Sequence, residues 1–279
     1  MKGLMQRYMQ NRGAIFGLAI IILVAILALA APLLYDTSPW MMVAAPLIPP
    51  FTDAAYPFGT DMLGRDITAG LVWGARVSLM IGLVSTIVAL IFGILVGALA
   101  GFYGGVIDDI LMRFTEFFQT IPQLALAVVI VAVLSPSIYS IMGAIMAVSW
   151  PPAARLVRSE FMTLKQREFV QAAIVIGQKP MRIVWSQILP NAMSPIIVSA
   201  SFMVATAILT ESALSFLGLG DRNLMSWGFM IGASRTMIRE AWWMSVWPGI
   251  AILLTVLAIN LMGEGLNDAL NPQLRKRGE

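Results

Sequence analysis

The chain has 279 residues, of which 59% are hydrophobic and only 12% charged; an ordinary soluble protein carries about a quarter charged residues, so neither a soluble two-domain fold nor a disordered chain fits. Cys 0 and His 0 exclude disulfides, thiolate and imidazole metal sites, thiol nucleophiles and histidine bases, and with them catalytic triads, zinc hydrolases and haem proteins. A net charge of +3 is too slight to point to nucleic acid, which makes the placement of the charges more informative than their sum.

A bilayer core of about 30 Å is crossed by about 20 apolar residues of helix. Five stretches free of Asp, Glu, Lys and Arg meet that length: 14–34 (21 residues), 77–100 (24), 117–154 (38), 183–210 (28) and 241–263 (23). The third is too long for one span. It is broken at Ser135-Pro136-Ser137, where proline cannot donate a helical hydrogen bond and its predecessor avoids helical geometry. The expectation is therefore an all-α membrane protein with six transmembrane helices, over about 14–34, 78–101, 112–134, 138–157, 193–214 and 244–264. A segment 1–13 precedes the 14–264 bundle, and a basic tail 265–279 follows it. Although Lys2, Arg7 and Arg12 before an apolar run resemble a signal peptide, the run exceeds the about 7–15 residues of a cleavable signal core, so a retained anchor is expected.

Charge placement sets the expected orientation. With the N-terminus inside, the inside segments hold thirteen Lys or Arg (Lys2, Arg7, Arg12, Arg113, Arg155, Arg158, Lys165, Arg167, Lys179, Arg182, Arg275, Lys276 and Arg277). The outside segments hold five, Arg65, Arg76, Arg222, Arg235 and Arg239. That asymmetry predicts both termini in the cytoplasm.

Four segments lie outside the spans. Residues 35–76 form an outside loop with five prolines, ending in Asp61, Arg65 and Asp66, which are close enough in sequence to pair locally. Residues 158–192 make the largest cytoplasmic excursion. In it Phe169, Val170, Ala172, Ala173 and Ile176 recur at helical spacing, Gly177 supplies a stop and Pro180 a fresh start. Such a helix suits either the bilayer surface or, given the small Ala172 and Ala173 beside Gln171, a groove on another protein. Residues 215–243 are glycine-rich but match neither nucleotide-binding fingerprint, so their glycines are read as turns and close packing. The tail ending in Arg275, Lys276 and Arg277 suits anionic headgroups.

Within the spans, Asp108, Asp109, Arg113, Glu116, Glu211 and Glu264 all sit near predicted helix ends, where charges reach the interface cheaply; an ion pathway is not the favoured reading. Gly93, Gly97 and Gly101, with Gly104-Gly105, mark a small-residue face for tight helix packing.

Residues 171–190, Gln-Ala-Ala-x3-Gly177-x10-Ile188-Leu189-Pro190, resemble the cytoplasmic EAA loop of bacterial ABC-importer permeases, with Gln171 where the general pattern has Glu. PFGTDMLGRD (57–66), ESALSFLGLG followed by SWG (211–228), and WPGIAILLTVLAINLMGEGLNDALNP (247–272) are similar to the second permease subunit of dipeptide, oligopeptide and nickel importers. The resemblance runs from about residue 10 to residue 275. It implies the type I ABC importer (MetI-like) permease fold, and a non-catalytic, multi-pass subunit of the bacterial inner membrane. The implied partners are a homologous second permease in a heterodimer, two ATPases that bind ATP and Mg, an extracytoplasmic solute-binding protein and membrane lipid; no cofactor, metal or nucleic acid is expected on this chain. The implied ATPase-coupling residues are Phe169, Val170, Gln171, Ala172, Ala173, Ile176, Gly177, Leu189 and Pro190, and the implied contacts to the binding protein are Asp61, Arg65, Asp66, Asp221, Arg222 and Trp227. A peptide cargo is the leading expectation, with nickel or another small solute as the alternative. An ion-coupled secondary transporter would need mid-membrane ionisable groups and inverted repeats, neither of which is visible in the sequence.

Overall fold

The computed structural model describes residues 2–35 and 38–270, and no strand forms among them beyond two isolated bridges, Met42 to Arg65 and Thr60 to Asp66. The basic residues Arg275, Lys276 and Arg277 lie outside the described residues. A short helix α1 (Lys2–Tyr8) leads to α2 (Arg12–Leu34), whose N-terminus is capped by the Asn11 side chain accepting from the Ala14 N–H. Helix α2 keeps a broad apolar surface exposed, as a lipid-facing span does.

After an irregular proline-rich segment, α3 (Ile67–Tyr103) runs for 37 residues. It starts well before the expected span at 78 because the Asp66 carboxylate caps it, accepting from the N–H groups of Thr68 at 2.8 Å and Ala69 at 3.3 Å. At its other end Gly104 and Gly105 take φ of 69° and 55°. Nothing lies within 4 Å of where their Cβ atoms would be, so these two glycines serve a turn and do not extend the packing face as expected.

The segment expected as one helix over 112–134 is two. Helices α4 (Gly105–Thr120) and α5 (Gln123–Leu134) meet at an 84° bend. Pro122 has no N–H to continue the ladder, and Ile121 before it is extended. Helix α6 (Ile138–Lys165) begins after the anticipated break, with Ser137 as its cap.

Helices α3 and α6 form the most extensive pair in the bundle. Their approach depends on the glycine stripe. A Cβ on Gly93 would lie 2.7 Å from Ala153 Cβ, one on Gly97 would lie 2.3 Å from the Ala154 carbonyl, and one on Gly101 would lie 2.7 Å from Phe161 Cβ. Small residues thus let the two backbones touch, which drives association where lipid removes the hydrophobic force between helices.

The remaining chain forms α7 (Glu168–Val175), α8 (Pro180–Ile183), α9 (Leu189–Leu214), α10 (Trp227–Ser234) and α11 (Trp243–Leu270). A π turn over Val184–Ile188 joins α8 to α9, and a second over Ser215–Leu219 closes α9. The first precedes Pro190, whose missing N–H and ring bulk at the Ser186 carbonyl are accommodated by the wider turn. Among the described residues, five helices are long and apolar enough to cross a membrane, and the bent α4–α5 pair makes a sixth crossing if taken as one span. Helix α11 packs on α2 and α9, and α9 also packs on α3 and α6. This leaves α7 at one end of the bundle, and the segments 38–66 and 221–226 at the other.

Candidate functional site

Two turns of helix, α7, form the most distinctive feature at their end of the bundle. The helix stops at Gly177, which adopts φ of 75°. The Gly177 N–H donates to the Ile174 carbonyl at 3.0 Å, and the Gln178 N–H donates to the Ala173 carbonyl at 3.1 Å. This nested pair is a Schellman stop, and it requires a left-handed residue at the position Gly177 occupies. Pro180 then opens α8 at its first turn, where a missing N–H costs nothing. The Gln171 side chain donates to the Lys165 carbonyl at 2.8 Å, tying α7 to the end of α6. A glutamate there has no hydrogen to donate, so the departure from the family pattern at Gln171 has a local structural use.

The structure divides the expected docking residues into two sets. Val170 and Ala173 turn inward and join a buried cluster with Phe102 of α3, Val157 and Phe161 of α6, and Ile183 and Ile188. They anchor α7 to the membrane body and are not available to another protein. Phe169, Gln171, Ala172, Ile176 and Gly177 lie at the surface, while Leu189 is half-buried and Pro190 exposed at the start of α9. Val175 is 85% exposed and Ile176 74%. Val175 was not among the expected residues, although its spacing of three from Ala172 places it on the same face. The outcome is a helix that is uncharged from Phe169 onward, with one apolar face bound to its own chain and a second apolar face open.

Near the same end, Asp108 of α4 and Arg158 of α6 form a two-point ion pair through the arginine Nε and Nη2. Lys165 Nζ donates to the Phe102 carbonyl at 2.6 Å. These bonds fasten the α3–α4 turn to α6, directly beside the cluster that seats α7.

At the opposite end, the six residues expected to meet a binding protein are mostly engaged within the chain. Asp61 accepts from the N–H groups of Leu63 at 2.8 Å and Arg65 at 2.9 Å, and pairs with the Arg65 guanidinium, which lies 5.2 Å from the Trp40 ring centroid. Asp66 caps α3. Asp221 accepts from the Asn223 N–H and, across the fold, from the Ile138 N–H at 2.9 Å, closing the N-terminus of α6. Trp227 is buried, donating from Nε1 to the Leu71 carbonyl at 2.9 Å and from its backbone N–H to Ser78 Oγ at 3.2 Å. Arg222 alone among the six is exposed. Their physical role in the described structure is to shape this end.

Glu211 also departs from expectation. It does not reach the interface: it is 1% exposed, with Oε1 accepting from Ser215 Oγ at 2.8 Å and Ser226 Oγ at 2.7 Å. Gly228 is needed beside it, since a Cβ there would sit 2.8 Å from both carboxyl oxygens. The Glu211–Ser215 spacing of four on a helix was a readable signal for half of this arrangement.

A bundle of apolar, membrane-length helices with a short helix inserted between two of them defines a polytopic membrane protein. The model for the binding-protein-dependent transport system inner membrane component matches residues 93–276, and the model for the N-terminal transmembrane domain of oligopeptide transport permease C matches residues 1–63. The chain belongs to the binding-protein-dependent transport permease family. It is 41% identical to the di/tripeptide transport system permease protein DppC of Pseudomonas aeruginosa, over 99% of this chain and 93% of that protein. It is 38% identical to the oligopeptide transport system permease protein OppC of Escherichia coli, over 97% of this chain and 90% of that protein. In three dimensions it resembles a chain of the inward-facing MetNI methionine ABC transporter, with a TM-score of 0.61 at 18% identity, covering 74% of this chain and 98% of that one. The fold is that of a type I importer permease.

Proposed function

We propose that this chain is one half of the translocation pathway of an ATP-driven importer of short peptides in a bacterial inner membrane, with both termini cytoplasmic. It pairs with a homologous second permease as a heterodimer, receives cargo from an extracytoplasmic solute-binding protein and is driven by two ATPase subunits that hold ATP and Mg. The chain itself carries no catalytic role. Its 1–13 segment and its tail flank a single permease domain over 14–264, with 158–192 as the coupling loop.

The observation that carries this reading is the open apolar face of α7, bounded by Phe169, Ala172, Val175 and Ile176, on a helix with a rigid stop at Gly177. A groove on an ATPase buries that face. When two such grooves close together on ATP, the displacement passes through Val170 and Ala173 into the cluster holding Phe102, Val157 and Phe161, and so into α3 and α6. Close packing makes that transfer stiff, because interlocked interiors shift between discrete arrangements and do not yield smoothly. Gln171 and the Asp108–Arg158 pair keep the loop and the α3–α4 turn fixed to α6 during the movement.

The peptide reading rests on the relatives, whose names specify di/tripeptide, dipeptide and oligopeptide transport. Reconstitution of the whole importer in proteoliposomes tests it: ATP-dependent uptake of a labelled dipeptide, delivered by the binding protein, is expected. Uptake of a nickel chelate in place of peptide would assign the alternative cargo. Transport by the isolated chain without ATP would refute the ABC reading and favour an ion-coupled carrier.

A further inference from the structure

Helix α4 presents three sectors around its axis. Leu111, Met112 and Phe118 pack into a cluster with Trp150 of α6 and Ala89 of α3, and Thr115 is buried on the same side. Val106, Ile110 and Phe117 form an exposed apolar flank. Between the two, Asp109, Arg113, Glu116 and Thr120 are all exposed. Their spacing of four, three and four places them within about 60° of one another at 3.6 residues per turn. The ion pairs among the described residues are Asp61–Arg65 and Asp108–Arg158, and neither includes Arg113 or Glu116. Arg158, whose charge is near enough to act on Glu116, is already held at two points by Asp108.

The depth of this charged stripe follows from its neighbours. Helix α4 leaves the Gly104–Gly105 turn beside the Asp108–Arg158 pair and runs along α6 until Phe114 and Phe118 reach the Trp150 ring, at 5.7 Å and 5.4 Å between centroids. Trp150 is near the midpoint of the 28-residue α6, about 22 Å of helix from Lys165 at 1.5 Å per residue. Glu116 lies two residues from each phenylalanine and so points away from Trp150, carrying its carboxylate at mid-membrane depth on the exposed side. It is near a helix end, as the sequence predicts, but the break at Ile121 and Pro122 puts that end inside the membrane layer and not at the interface. An ionised side chain at this depth does not face acyl chains without a large cost, and it marks a water-filled path or a protein partner. Irregular backbone at membrane depth is likewise confined to protein interiors and water-lined cavities. Pro122 and Gln123 are exposed, so this chain does not bury its own break.

We propose that this stripe lines the water-filled path through the importer and recognises the charged ends of a peptide in transit, with Glu116 and the carbonyl end of α4 taking the ammonium and Arg113 taking the terminal carboxylate. This rests on the importer reading above and assigns specificity residues within it. The last carbonyls of α4 form the negative end of its dipole, and no basic side chain occupies its last turn. Glu116 and the helix end therefore favour the same cation. Arg113 offers a forked, charge-assisted donor to a carboxylate. Residues three apart on a helix hold their Cβ atoms about 5–6 Å apart, and a dipeptide extends over about 7 Å at 3.3–3.6 Å per residue, so one zwitterion reaches both charges. A longer peptide engages them with one end at a time. The adjoining apolar flank of Val106, Ile110 and Phe117 is the surface suited to lipid or to helices of the partner permease, which leaves the charged stripe to the path.

The test uses the complete importer with its binding protein in proteoliposomes, and single cysteines in this otherwise cysteine-free chain. Arg113→Cys, Glu116→Cys and Thr120→Cys should react with a water-soluble, membrane-impermeant thiol reagent, several-fold more slowly when dipeptide and ATP are supplied. Thr115→Cys, on the buried face, should stay unlabelled. Dipeptide taken up per ATP hydrolysed should fall several-fold in Glu116→Gln and further in Glu116→Lys, with Glu116→Asp retaining most of it. If Glu116→Gln fails to assemble, labelling at 113 and 120 decides the matter. Stripe cysteines reached only by a lipid-phase reagent would overturn the proposal, as would their cross-linking to the partner permease with no aqueous labelling. Unchanged uptake per ATP in both Glu116→Gln and Glu116→Lys would also overturn it. Each of these results leaves the importer reading standing, because wild-type uptake is measured in the same vesicles. Absence of dipeptide uptake by the wild type would instead overturn the peptide reading, and the ammonium assignment with it.

Discussion

Replacing Gly177 with valine isolates the contribution of one backbone conformation. Gly177 sits at φ of 75°, and a Cβ built there meets nothing within 4 Å. The substitution therefore creates no collision with the rest of the molecule, and its cost is the local strain of a left-handed residue, about 1–2 kcal/mol and larger for a β-branched side chain. One to two kcal/mol changes a conformational ratio by a factor of about 5–30. If the stop at Gly177 must be in place for α7 to seat, binding-protein-dependent uptake by Gly177→Val proteoliposomes should fall by that order, while membrane insertion and pairing with the second permease persist. Asparagine tolerates the left-handed region, so Gly177→Asn should retain most of the activity. Wild-type uptake by the valine variant, or equal damage from asparagine and valine, would refute the conformational argument.

Other perturbations bear on the frame that holds α7. Asp108→Ala leaves Arg158 without its carboxylate, and loss of a hydrogen-bonded charge of this kind costs about 1.5–3 kcal/mol; the thermal midpoint of the purified complex should fall, and Asp108→Asn should fall less. Gly97→Leu places a side chain against the Ala154 carbonyl and Val157, and overpacking of about 1–3 kcal/mol should appear as reduced recovery of folded permease in detergent. Asp61→Lys with Asp66→Lys removes the turn anchored on Arg65 and the cap of α3. It should therefore lower thermal stability, whereas Arg222→Glu at the exposed position should spare stability and reduce only the stimulation of ATPase activity by the binding protein. Unchanged stimulation in Arg222→Glu would remove Arg222 from that contact.

Much of the architecture is legible in charge-free runs, because lipid allows few charges and forces each crossing to satisfy its own backbone. The glycine stripe on α3 was equally readable, since its spacing of four aligns small residues on one face. What escaped was punctuation within and beside those runs. Pro122 breaks the third charge-free stretch as firmly as Pro136, and Gln119, Thr120 and Gln123 flank it, but a search for charges alone gives no warning of the 84° bend. A charge ends a membrane run, which by composition places Asp66 in a loop, although Asp before Ile-Thr-Ala is also a helix cap. The Asp108–Arg158 and Asp221–Ile138 bonds join residues far apart in sequence and have no local signature. The α7 helix was visible from spacing, but which of its faces turns inward depends on the cluster around Phe102 and Phe161, and that packing set Val170 and Ala173 apart from the open surface.

The central claim concerns that open surface. The absence of native cysteine allows single cysteines at 169, 172, 175 and 176, paired with cysteines on the ATPase surface of the assembled importer, and 170 and 173 serve as inward-facing controls. The account predicts ATPase adducts from the first four positions, with a yield that changes with nucleotide, and none from 170 or 173. Absence of any ATPase adduct in every nucleotide state, together with labelling of the same four positions by a lipid-phase probe, would show that α7 lies on the bilayer and contradict the account.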